Sequence, residues 1–258
     1  MKKISLLFIL FLNIGLAYAQ KLPNIQPGGQ LLPAKISIDG KLNEWPNGLN
    51  AYNKALRIEY VLANNDNNLY LAIRTKDVGT TAKILAGGLT LNINTSGKKA
   101  DNGPTITFPL TNSGYTISET GGTKANFKVL VDSSAIVKAI KELNLIKVNH
   151  LPGVQDSVLS IYNVEGIKAK MLYDNTTLVC EMMIPKKLLG LVDLSTPFAY
   201  HLKLDGVVRP YFTGGVPPPP LTPNPRRSPT HISNITAEIS VPTGFWGEYA
   251  MAKQTAIK

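Results

Sequence analysis

I-S-I-D-G-K-L-N-E-W (Ile36–Trp45), I-E-Y-V-L-A-N-N-D-N-N-L-Y-L-A-I-R-T (Ile58–Thr75) and G-G-L-T-L-N-I-N-T-S-G-K-K (Gly87–Lys99) are the runs on which the fold turns. Leu69, Leu71 and Ile73 alternate with Tyr70, Ala72 and Arg74, and Leu89, Leu91 and Ile93 with Thr90, Asn92 and Asn94. A period of two places alternate side chains on opposite faces of a strand, so each run reads as half-buried β-structure. Asn64–Asn68 is turn chemistry joining two strands closely, which predicts a hairpin. Gly87-Gly88 and Gly97–Gly103 supply further breaks.

The same alternation continues outward. It recurs at Thr105–Leu110, Val158–Tyr162, Ile167–Tyr173, Leu178–Ile184, Phe198–Leu204, Ala237–Val241 and Phe245–Tyr249. One helix is predicted after Asp132 or Ser133, either of which can cap it, with Ile136, Ile140, Leu143 and Ile146-Lys147 at helical spacing. Pro185 opens a short helical piece over 186–191. Many short strands with close turns and little helix predict an all-β antiparallel sandwich of the jelly-roll-like kind, with one inserted α-helix. Residues 210–234 depart from this pattern. Pro217–Pro220 and the further prolines to Pro229 cannot pair within a sheet, so a long Pro-rich loop is expected there. It reads either as a surface excursion or as a binding loop presenting Tyr211, Phe212 and Arg226-Arg227.

Residues 1–19 read as a signal peptide: Lys2-Lys3, an apolar core over Ser5–Leu16, and Ala17-Tyr18-Ala19 before Gln20. Export to the periplasm or beyond follows. Residues 20–34 are expected to be a loose leader, and 35–258 a single domain. The apolar runs are too short to span a membrane, which takes about 20 residues. The net charge of the 258-residue chain is +10, and removing Lys2 and Lys3 lowers it by two. Lys98-Lys99, Lys186-Lys187 and Arg226-Arg227 are isolated pairs, without the basic stripe and interleaved aromatics that nucleic acid requires. The single cysteine, Cys180, lies in an apolar run and reads as a core thiol.

Two motif sets carry a family resemblance. The first is Asp39-Gly40, Glu44-Trp45 and the strand–turn–strand across Asn64 and Asp66. The second is Asn163, Gly166-Ile167, Ala169, then Leu178, Glu181, Ile184-Pro185 and Leu188-Leu189, with Phe245-Trp246 closing the chain. The chain resembles the family 9 carbohydrate-binding-module-like domains, within the DOMON-like group of β-sandwiches, over residues 35–252. The resemblance implies a non-catalytic module that binds carbohydrate and is accessory to its breakdown. It also implies a packing role for Trp45.

Family members hold sugar between tryptophans, and this chain has Trp45 and Trp246. Trp246 has opposite parity to Phe245 and reads as either a sugar platform or a packed cover. The ligand-binding candidates are Trp246, Tyr211 and Phe212 for stacking, and Arg74 for hydroxyls. Asp39 reads as a local turn acceptor. The acidic residues are dispersed and no G-x-S-x-G elbow occurs, so no enzyme is expected. No catalytic residue and no metal ligand set is assigned. His150, His201 and His231 lack ligand spacing. No cofactor is expected, although the oxygens of Asn65, Asp66 and Asn67 suit a structural calcium ion. Two other readings stay open. One is an envelope structural or assembly protein docking a protein partner. The other is a DOMON-like haem electron carrier using His201 with Met182 or Met183.

Overall fold

The computed structural model describes residues 21–111, 133–192, 195–206 and 241–253. Two antiparallel sheets face each other. The first runs β1 (Ala51–Asn53), β2 (Ile58–Asn64), β3 (Asn68–Thr75), β9 (Thr177–Pro185) and β8 (Lys168–Asp174), in that spatial order. The second runs β11 (Thr243–Tyr249), β10 (Phe198–Leu204), β4 (Leu89–Asn94), β5 (Thr105–Phe108), β6 (Leu145–Asn149) and β7 (Val158–Ser160). The fold is the all-β sandwich that the alternation predicts.

The core lies between the sheets. Leu69, Leu71 and Ile73 of β3 and Cys180, Met182 and Ile184 of β9 meet Leu89, Leu91 and Ile93 of β4 and Tyr200, Leu202 and Leu204 of β10. The outer face of the first sheet is buried as well. Val61, Ala63, Tyr70 and Ala72 form a second cluster with Trp45 and Leu49 of the preceding strap. That is why β2 and β3 read as nearly continuous apolar runs.

Asn65 closes the β2–β3 hairpin. Its Oδ1 accepts the N–H groups of Asn67 and Asn68 at 3.0 and 2.7 Å.

Among the described residues the inserted helix is joined by a second one. α1 (Val78–Gly87) connects β3 to β4 and is buried from Gly79 to Leu85. Gly79, Thr80 and Thr81 are weak helix formers, and a helix buried all round shows no amphipathic period. Its caps were the legible signal: Asp77 accepts the Thr80 N–H at 2.8 Å, and the Gly88 N–H returns to the Ile84 carbonyl at 2.8 Å. The expected helix is α2 (Ser133–Glu142), and it ends earlier than its spacing suggested. Ile146 and Lys147 belong to β6 and pair with Leu159 and Val158 of β7. Sheet burial of Ile146 outweighs its helical spacing. The short piece after Pro185 is a 3-10 turn, Lys186–Leu189, closed by Gly190 in the left-handed conformation.

Residues 21–34 are not a loose leader. The side-chain amide of Gln26 donates to the Leu62 carbonyl and accepts the Leu62 N–H, both at 2.8 Å. Leu31 forms a parallel bridge to Asn64. Polar residues read as solvated are here spent on the backbone edge of β2. The signal peptide, the Asp132 cap and the Pro-rich loop 210–234 lie outside the described residues. The 205–242 connection leaves and returns at Leu204 and Thr243, which pair directly.

Candidate functional site

Alternation along β11 turns Phe245 inward, 5.3 Å from the Tyr60 ring, and Trp246 outward. Trp246 pairs with His201 of β10, and the two rings stack 4.5 Å apart at 14°. β11 is the outermost strand of its sheet among the described residues, so the second face of the indole turns away from β10 toward the sheet edge. The His201 ring occupies room left by Gly244, where an added Cβ would fall 2.5 Å from Nε2. Its Nδ1 lies 2.8 Å from Asp101 Oδ1. A carboxylate only accepts, so Nδ1–H donates, and in the neutral ring Nε2 keeps its lone pair.

The strand register extends this pair across the sheet. His201 pairs with Asn92, Asn92 with Thr105, and Thr105 with Asn149. Trp246, His201, Asn92, Thr105 and Asn149 therefore form one row perpendicular to the strands. The β4–β5 connection lies over its middle. Asn92 Nδ2 donates to the Gly103 carbonyl at 3.1 Å and to Thr105 Oγ1 at 2.7 Å. Asn94 Nδ2 holds the Ala100 carbonyl and Asn102 Oδ1 at 3.0 and 2.8 Å. Asp101 and Asn102 stand exposed on this connection. Asn92 Oδ1 is buried without a hydrogen-bond partner. Beyond the far end of the row, Asn149, His150, Asp156 and Ser157 line an open hollow.

An indole edge, an imidazole, a carboxylate, two amides and hydroxyls thus share one surface. Such a surface offers an apolar plane and many planar hydrogen-bonding groups. Of these residues, sequence reasoning singled out Trp246. His201 was weighed only for haem and as an isolated histidine, and Asp101, Asn92 and Asn149 were missed. Their signal was the amides at the outward positions of L-T-L-N-I-N, where a solvated face needs only hydrophilic side chains.

Arg74 is not at this site. It pairs with Glu59 on the outer face of the first sheet, across the sandwich from Trp246. Tyr211 and Phe212 lie outside the described residues. Met182 is in the inter-sheet core and Met183 lies on the outer side of the first sheet, whereas His201 is on the outer face of the second. The two methionines and His201 are not brought together as a haem ligand pair. Among the described residues, no group of three or more His, Cys, Asp or Glu side chains is arranged to hold a metal.

The motif residues build a latch. Glu181 is fully buried on β9. Its Oε2 accepts the N–H groups of Asp39 and Gly40 at 3.1 and 2.6 Å, and its Oε1 accepts the Tyr70 hydroxyl at 2.6 Å. Burial pushes the Glu181 carboxyl above its usual range, against the lowering effect of these hydrogen bonds. Burial also pushes the Tyr70 and Cys180 groups up. Trp45 stacks on Tyr70 at 5.7 Å and donates Nε1–H to its hydroxyl at 3.3 Å. Glu44 Oε1 accepts the Ser37 N–H at 3.1 Å, and Asp39 Oδ1 accepts the Lys41 N–H at 2.8 Å. Asp39, Gly40, Glu44 and Trp45 therefore fasten the strap. Asn64 is likewise structural, and Asp66 is exposed in the hairpin turn.

The chain matches no protein-family model and no curated protein. Among the described residues, no helix is long and apolar enough to cross a membrane.

Proposed function

We propose that this chain is an exported, non-catalytic carbohydrate-binding module of the family 9-like, DOMON-like kind, and that sugar docks beside Trp246 and His201. The observation carrying this reading is the stacked Trp246–His201 pair in register with Asn92, Thr105 and Asn149. The free face of an indole takes the C–H face of a sugar ring, and neighbouring amides and carboxylates take its hydroxyls. A ligand that binds only the folded state raises the melting temperature by mass action. A thermal-shift and calorimetry screen against mono- and oligosaccharides should give a sugar-specific rise that Trp246→Ala removes. No binding at millimolar sugar would sink the reading.

One observation favours a second reading, docking of an envelope protein. The β7–β8 turn displays Tyr162 and Val164 at 84% and 97% exposure, yet it is braced from within. Asn163 Nδ2 donates to the Ser160 and Ile167 carbonyls at 2.7 and 2.8 Å. A rigid turn presenting two apolar side chains suits a partner surface. A protein that co-purifies with the wild type, is lost in the Tyr162→Ser, Val164→Ser double variant and leaves sugar affinity untouched would support it.

A further inference from the structure

The cross-sheet row is longer than any single sugar ring. From Trp246 on β11 to Asn149 on β6 it crosses four strand spacings, about 19 Å at ~4.8 Å each. Hydrogen-bonding groups reach the surface along much of this length: Asp101 and Asn102 on the covering connection, Thr105, and Asn149, with the His201 ring 14% exposed beside Trp246. The row then opens into the hollow beside His150, Asp156 and Ser157. A monosaccharide at Trp246 would leave everything beyond Asp101 untouched.

The middle of the row holds a second pointer to a ligand. Asn92 is 3% exposed, and its Oδ1 has no donor. A buried carbonyl left unpaired costs free energy comparable to a lost hydrogen bond. The connection above it is held mainly by polar contacts: Asp101 to His201, Asn102 and Ala100 to Asn94, and Gly103 to Asn92. A hydroxyl-rich chain that takes the place of those contacts reaches Asn92 and supplies the donor that it lacks.

Resting on the carbohydrate reading above, we infer that the ligand is a linear oligosaccharide laid across the strands. One end is on the Trp246–His201 stack, the middle is over Asp101, Asn102 and Thr105, and the far end is in the hollow beside Asn149 and Asp156.

The test is a length series. Xylose, glucose and mannose and their β-1,4-linked oligomers up to six rings are titrated into the wild type, Trp246→Ala and the Asn149→Ala, Asp156→Ala double variant. Asn149 and Asp156 are exposed, so the double variant leaves the core intact. In the series that binds, the longest oligomers should bind on the order of tenfold or more tighter than the monosaccharide, a difference of ~1.4 kcal/mol. The double variant should erase that gain while keeping the monosaccharide affinity, and Trp246→Ala should abolish both. Binding that depends on Trp246 but is equal for one ring and six overturns the spanning ligand and leaves the module reading standing. Failure of every series at every length overturns both.

Discussion

Glu181, in the middle of β9, accepts the backbone N–H of Gly40 at 2.6 Å across 141 residues of sequence. A buried carboxylate thereby pins a turn of the N-terminal strap to the outer face of the first sheet. Gly40 takes φ +83°, and an added Cβ there would fall 2.6 Å from the Leu172 Cβ. The turn needs glycine for its backbone and for its close approach to β8. The two motif sets that look unrelated in the sequence are halves of one fastening.

Removing the carboxylate should release the strap. Glu181→Ala would leave the Asp39 and Gly40 N–H groups and the Tyr70 O–H without their acceptor. Each loss of a hydrogen bond to a charged group costs about 1.5–3 kcal/mol. A total destabilisation of about 3 kcal/mol or more is expected in urea unfolding. Hydrogen exchange should speed up selectively around residues 36–49. Unchanged exchange there would show that Glu181 does not hold the strap.

The same residue predicts a pH dependence. Burial raises the folded-state pKa of Glu181 above its unfolded value, so the native state holds the proton more tightly. The contribution to stability is fully present below the unfolded carboxyl pKa, about 4.3. It is lost as pH rises through the raised folded value. Glu181→Gln keeps the shape and removes the titration. Relative to that variant, the wild type should therefore gain stability as pH falls from neutral toward about 4.3. Parallel stability curves for the two proteins over that range would contradict the assignment.

Asn64 should prove structural and not ligand-binding. Its Oδ1 accepts the Tyr249 hydroxyl at 2.8 Å and the Ala252 N–H at 2.9 Å, and its Nδ2 donates to the Ala252 carbonyl at 2.9 Å. Asn64→Ala should cost about 2 kcal/mol and expose Ala250–Lys253 to carboxypeptidase trimming, because each buried polar group left unpaired costs roughly 1–3 kcal/mol. Sugar affinity at Trp246 should be unchanged. A variant as resistant to trimming as the wild type would refute the anchoring role.

The sandwich was legible because β4 and β10 alternate cleanly and β3 and β9 keep an inward apolar residue at every second position. The opposite parity of Phe245 and Trp246 correctly separated a core ring from an outward one. Helix α1 was legible only at its caps, since tertiary burial of Gly79–Leu85 overrides weak propensity and leaves no polar stripe to read. The site was only partly legible for a different reason. Asp101 and His201 meet 100 residues apart, and Asn92 and Asn149 join them through strand order. Parity places a side chain on a face, but only the order β11-β10-β4-β5-β6 places these residues in one row. Arg74 and Trp246 illustrate the converse: both are outward by parity, yet they point from opposite sheets.

Gly244 offers the sharpest local test of the stack. It carries no unusual φ, so alanine adds no backbone strain, and in an edge strand alanine even restrains the chain better than glycine. The added Cβ would nevertheless lie 2.5 Å from His201 Nε2 and 3.0 Å from the Leu202 carbonyl oxygen. The carbonyl belongs to the sheet ladder and cannot move far, so the imidazole must turn. It then loses the Asp101 hydrogen bond, the Trp246 stack, or both. Global stability should change by no more than ~0.5 kcal/mol, the usual range for surface substitutions. Trp45 is 8% exposed and stays shielded, so any rise in acrylamide quenching reports on Trp246. Gly244→Ala should raise that quenching and weaken sugar binding on the order of tenfold, equivalent to ~1.4 kcal/mol. Quenching and affinity both at wild-type levels would mean that the His201–Trp246 stack contributes nothing to the site.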